Sequence, residues 1–145
     1  MVSVLRKDFP EIAEQISNRI KTTLPGDRLY DLSSIETIIE SFKKERGVTA
    51  DNWTNSKGKA NITYERELLI AVLLMFYDPE KIMQLVDRQV FKGLLYHASK
   101  LIGTTNAVLS MSVRGVIVAF KAYQDFREEV YRLYDLISIE NKFFE

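Results

Sequence analysis

Apolar residues recur every three or four positions along most of this chain, and the places where that rhythm breaks delimit its elements. Leu5, Phe9, Ile12, Ile16, Ile20 and Leu24 form one stripe at helical spacing, closed by Pro25-Gly26. The pattern predicts an N-terminal helix within residues 1–26. Asp31 to Arg46 carries a second stripe of Ile35, Ile38, Ile39 and Phe42, with Ser33 and Glu36 spaced as a capping box and Gly47 as the stop. VTADNW reads as a short turn that tucks in Trp53, and NSKGKAN, residues 55–61, as an exposed basic loop.

From Leu68 to Tyr77 ten successive residues are apolar, which leaves no polar face for water. A central core helix is expected there, opened by Thr63 as its cap with Glu65 and Glu67 in the first turn. Asp78-Pro79-Glu80 restarts the chain as N-cap and N1, predicting a short helix with Ile82, Met83, Leu85 and Val86. Asp87 is placed to cap a further segment that reaches Ile102 and stops at Gly103. Val116, Phe120, Tyr123, Phe126, Val130, Leu133 and Ile137 then step by three and four. They predict one long helix from about Val113 to Ile137, extending roughly 36 Å at about 1.5 Å per residue. Its seam has two possible uses: packing within the chain, or pairing with a second copy or another protein. The closing SIENKFFE tail, residues 138–145, is expected to dock through Phe143 and Phe144. Strict alternation bounded by turn residues is absent, so the expectation is an all-α chain. It would be a single domain spanning 1–145, with about six to seven helices.

Composition narrows the function classes. At 145 residues and 46% hydrophobic content the chain can bury a proper core. Cysteine is absent, which excludes disulfides, zinc–thiolate sites, thiol nucleophiles and iron–sulfur clusters. MVSVLRKDFP lacks the apolar core of a secretory signal, and the longest apolar run falls short of the roughly 20 residues of a membrane span. A cytoplasmic protein without a membrane segment is expected. Catalytic chemistry is sparse. His97 is the sole histidine, so a histidine metal site or a Ser-His-Asp triad would have to be built around it. Glu65/Glu67 and Glu128/Glu129 do not face each other on a helix, and no glycine-rich run cradles a phosphate. Neither enzyme activity, cofactor nor metal is expected.

Charge changes the picture. The totals balance at 20 basic and 20 acidic residues, but no acid lies between Asp87 and Asp125, a zone holding Arg88, Lys92, Lys100, Arg114 and Lys121. Solvated surfaces usually mix signs, so a one-sign zone over two predicted helices is an electrostatic footprint suited to nucleic acid. Inside it lies HASKLIGTTNAVLSMSVRG, residues 97–115. A helix-turn-helix requires a small residue where the helices cross, a glycine at the turn and an apolar anchor in the second helix. Ser99, Gly103 and Leu109 have that spacing, with Ala98 and Ile102 on the core side. The second helix would present Thr105, Asn106, Ser110, Met111, Ser112 and Arg114. Asparagine pairs with adenine, arginine with guanine, and hydroxyls with phosphates or bases. The same residues also suit an ordinary capped helix start.

The order of parts resembles the C-terminal DNA-binding domain of the bacterial replication initiator DnaA and its Trp-repressor-like relatives. The likeness falls in residues 33–137, from about Ile35 to Ile137. IETIIESFKKERGVTADNW is similar to that domain's first helix and the short segment after it. SKGKANITYERELLIAVLLMFYDPEKI resembles its basic loop, buried helix and restart. ASKLIGTTNAVLSMSVRGV stands at its helix-turn-helix, and AFKAYQDFREEVYRLYDLI at its trailing helix. The resemblance implies a non-enzymatic binder of double-stranded DNA, a small stand-alone regulator or an accessory protein of a phage or mobile element. Lys57 and Lys59 match the basic loop, and Thr105, Asn106, Ser110 and Arg114 occupy the motif's second helix. With Lys92 and Lys100 on phosphates, these form the expected DNA-binding set.

Overall fold

The computed structural model describes residues 28–48, 62–84 and 88–144, and among them every regular element is helical. A 3₁₀ turn, Leu32–Ser34, leads into α1 (Ile35–Arg46). Then come α2 (Ile62–Tyr77), the single turn α3 (Pro79–Ile82), α4 (Leu94–Ile102), α5 (Asn106–Ala122) and α6 (Gln124–Asn141). The all-α expectation therefore stands. The N-terminal stripe, the Trp53 turn, the basic loop with Lys57 and Lys59, and Leu85 to Asp87 lie outside the described residues.

Helix α2 is the axis of the core. Every residue from Leu68 to Asp78 is buried, as ten consecutive apolar side chains demand, and α1, α5 and α6 pack around it. Full enclosure of one such leucine or isoleucine contributes about 1.5–3 kcal/mol. From α1 come Ile35, Ile38, Ile39 and Phe42, all buried, and Gly47 at φ 66° closes that helix. Its entry differs from the expected capping box. The 3₁₀ turn moves the cap back to Asp31, whose carboxylate accepts the Ser33 N–H at 2.9 Å, while Ser34 at the helix boundary makes no side-chain cap. Likewise α2 already includes Ile62, so Thr63 lies within its first turn.

The expected long helix from Val113 to Ile137 is two helices. Tyr123 is extended at φ −112° and ψ 110°, and separates α5 from α6. Two contacts explain the break. Leu109, Val113, Val116 and Phe120 of α5 and Phe126, Val130, Leu133 and Ile137 of α6 are all buried, with both helices packed on α2 and on each other, which one straight rod could not achieve. The freed carbonyls at the end of α5 also find a donor: the Arg127 guanidinium bonds the Phe120 and Lys121 oxygens at 3.1 and 3.2 Å. The α6 seam thus packs within the chain. Phe143 and Phe144 dock beside Phe76 at centroid distances of 5.5 and 6.3 Å, as expected of the tail.

Between α3 and α4 the chain is pinned by a buried acid. Asp78 precedes Pro79 as the N-cap residue, yet its carboxylate turns away from α3. It accepts two bonds from Arg88, at 2.6 and 2.7 Å, and the Phe91 N–H at 3.0 Å. These bonds hold residues 88–93 in an irregular path, so α4 begins at Leu94 after Gly93 instead of being capped by Asp87. Gly93 has φ 86°, and a Cβ there would lie 3.0 Å from Leu32 Cδ1. A side chain there would be strained by the positive φ and would need the Leu32 side chain to give by a few tenths of an ångström. Among the described residues no single helix is long and apolar enough to cross a membrane.

Candidate functional site

Helices α4 and α5 are joined by Gly103, Thr104 and Thr105, and the chain turns by 113° between them. Gly103 adopts φ 71°, the left-handed conformation that lets α4 stop within one residue, and its N–H bonds the Ser99 carbonyl. Thr105 is the N-cap of α5, its hydroxyl accepting the Val108 N–H at 3.2 Å. Ser99 is buried, its hydroxyl folded back on the Tyr96 carbonyl at 2.7 Å, so it behaves as a small residue at the crossing. Ala98, Ile102 and Leu109 are buried with it. Gly103 ends α4 and Leu109 is buried, as their positions suggested, while Thr105, expected within the second helix, is its N-cap.

The α5 surface carries Asn106, Ser110 and Arg114 at successive four-residue steps, all exposed together with Thr105. Met111 beside them is 82% exposed. Ser112 is withdrawn, its hydroxyl donating to the Val108 carbonyl at 2.9 Å. Lys92 and Lys100 are exposed as well, and Lys100 Nζ sits 4.4 Å above the Tyr96 ring. Lys57 and Lys59 lie outside the described residues, so their relation to this face is not part of the geometry.

The one-sign zone is smaller than its sequence suggests. Arg88 is tied to Asp78, whose hydrogen bonds hold the guanidinium even more firmly protonated than an ordinary arginine. Lys92, Arg114 and Lys121 form no ion pair among the described residues, and Lys100 meets only an aromatic face. Sequence spacing could not reveal the Asp78–Arg88 pair, because its partners sit ten positions apart across a helix restart.

Asn106, Ser110 and Arg114 also form one side of an open groove of about 580 Å³ between α5 and residues 81–84 and 89–96. Leu95, Val113 and Ile117, all buried, line it from below. Gln84, Gln89 and Tyr96 face the α5 residues from the other side, with Val90 and Phe91 between. Lys81 joins this wall, its ammonium bonded to the Arg88 carbonyl at 2.6 Å. Among the described residues no acidic side chain lines the groove. The glutamines and Tyr96 were missed in the sequence because nothing local marks them; the Asp78 bonds to Arg88 and Phe91 hold the stretch that carries Gln89.

His97 is exposed and meets the edge of the Tyr96 ring at 6.1 Å. Among the described residues no cluster of three or more His, Asp or Glu side chains is placed to hold a metal ion. No family model matches this chain, and no curated protein or solved structure matches it either.

Proposed function

We propose that α4 and α5 form a helix-turn-helix that binds double-stranded DNA, with α5 entering the major groove. The observation that carries this reading is the 113° turn across a three-residue glycine-containing link that ends in the Thr105 cap, followed by an α5 surface of Asn106, Ser110 and Arg114. Helix pairs that read DNA cross at about 90–120° across such a turn. Arg114 and Asn106 carry the donors that read guanine and adenine edges, and Lys92 and Lys100 supply charge for phosphates. Backbone amides at the start of α5 add a site for a phosphate oxygen. On this reading the chain is a small DNA-binding regulator or accessory protein, and the resemblance of its parts to the initiator domain points the same way.

The test is fluorescence anisotropy on a mixed pool of labelled duplexes, from low to physiological salt. Each phosphate contact gives a slope of about 0.9 in log affinity against log salt, so Lys100→Ala flattens the slope by about one unit. Arg114→Ala costs about 1–3 kcal/mol on a preferred sequence and little on random DNA. Absence of wild-type binding at low salt and tens of micromolar protein would overturn the proposal.

A further inference from the structure

The groove has a feature that DNA binding does not require. Base edges and phosphates are polar, whereas its base is Leu95, Val113 and Ile117, flanked by Val90 and Phe91. A polar rim over an apolar floor is the make-up of a small-molecule site, and about 580 Å³ lies within the usual span of about 300–1,000 Å³. The rim is selective by charge. It offers the amides of Gln84, Gln89 and Asn106 and the Ser110 hydroxyl, all neutral, and among the described residues it contains no carboxylate. Arg114 is the rim cation that forms no ion pair or hydrogen bond among the described residues, while Lys81 is engaged by the Arg88 carbonyl. Tyr96, 49% exposed, presents a ring beside the opening.

We infer that this groove binds a small organic acid with an aromatic or branched apolar body. The acid group pairs with the Arg114 guanidinium, which donates in a planar fork suited to carboxylate, sulfonate or phosphate. The body rests on Val113, Ile117 and Phe91, and the glutamine and asparagine amides bond any ring heteroatoms. A cationic ligand is disfavoured because it would meet the Arg114 and Lys81 charges. Neutral apolar molecules gain only the floor.

Two fluorescent probes of similar shape isolate the charge. Anilinonaphthalenesulfonate is anionic and N-phenylnaphthylamine is not. Both are titrated into the folded chain without nucleic acid, so the result is independent of the DNA titration. The expected result is saturable binding of the anionic probe at one site, at least about tenfold tighter than the neutral probe. Arg114→Gln should remove that preference by weakening the anionic probe about tenfold, the loss of one charge-assisted pair. Ser110→Trp fills the groove from its rim and should abolish binding of both. Both positions are exposed, so unchanged thermal melts check that the fold persists. No saturable binding, or binding that neither substitution alters, would overturn the inference. So would equal affinity for the two probes in the wild-type chain.

Discussion

The flank built from α1, α2 and α6 and the face built from α4 and α5 treat their cations in opposite ways. On the flank, Arg46 bonds Glu65 through two nitrogens and Glu129 Oε2 at 2.7 Å, and Arg132 adds a second contact to Glu129. Three helices are tied at one guanidinium. Hydrogen bonds to Glu65 hold the Arg46 charge well above the ordinary arginine range, and Arg132 followed by Arg46 holds the Glu129 carboxyl below its usual value. On the other face, Lys92, Arg114 and Lys121 are solvated without carboxylate partners among the described residues. Pairing fixes how helices sit on one another. A solvated cation adds little to stability, and its charge remains available to something outside the chain.

The largest contrast comes from placing one new carboxylate on each side. Val130 is fully enclosed on α6, so Val130→Glu should cost at least about 4 kcal/mol in urea melts, or unfold the chain. Met111→Glu on the open α5 surface should change stability by less than about 0.5 kcal/mol. Equal effects would mean that the two surfaces do not differ as described.

Two arginines sharpen the comparison at intermediate scale. Arg88→Ala leaves the enclosed Asp78 carboxylate with only the Phe91 N–H, and should cost about 2–3 kcal/mol. That is below the figure for a fully buried pair, because Arg88 itself is half exposed. Arg114→Ala should leave the melt within about 0.5 kcal/mol of wild type. A smaller effect is expected at the turn: Thr105→Ala removes the cap on Val108 and should cost about 1 kcal/mol, with faster hydrogen exchange at the first amides of α5. Unchanged exchange would show that the cap does not hold the start of that helix.

The mildest test uses pH. Because the folded Glu129 pKa lies below the ordinary 4.5, its contribution is present above that value and is lost as pH falls through the folded pKa. Thermal melts of Glu129→Gln should therefore fall less steeply than wild type below about pH 4.5, starting from a lower neutral-pH midpoint. Parallel acid profiles would remove Glu129 from the account of the flank.

Helix identity was legible wherever one stripe or one apolar run belonged to one element. Ile35, Ile38, Ile39 and Phe42 face the core as their spacing requires, and Leu68 to Tyr77 is enclosed all round because no residue in it offers a polar side. Gly103 and Leu109 were legible too, since a left-handed stop and a buried apolar position depend on neighbours within a few positions, whereas Thr105, read into the second helix, is its cap. Tyr123 did not. It keeps the heptad rhythm without a glycine or proline, and the chain breaks there because α5 and α6 must both reach α2 while Arg127 takes up the carbonyls left at the end of α5. Asp78 was legible as a cap position, but its role as the anchor for Arg88 and Phe91 depends on residues ten and thirteen positions away. The groove divides the same way. Asn106, Ser110 and Arg114 share a face through helical geometry alone, whereas Gln89, between Arg88 and Phe91, reaches the same groove on a stretch that the buried Asp78 carboxylate holds. Local periodicity determined the elements; long-range satisfaction of buried charge and freed backbone groups decided where they break and what they enclose.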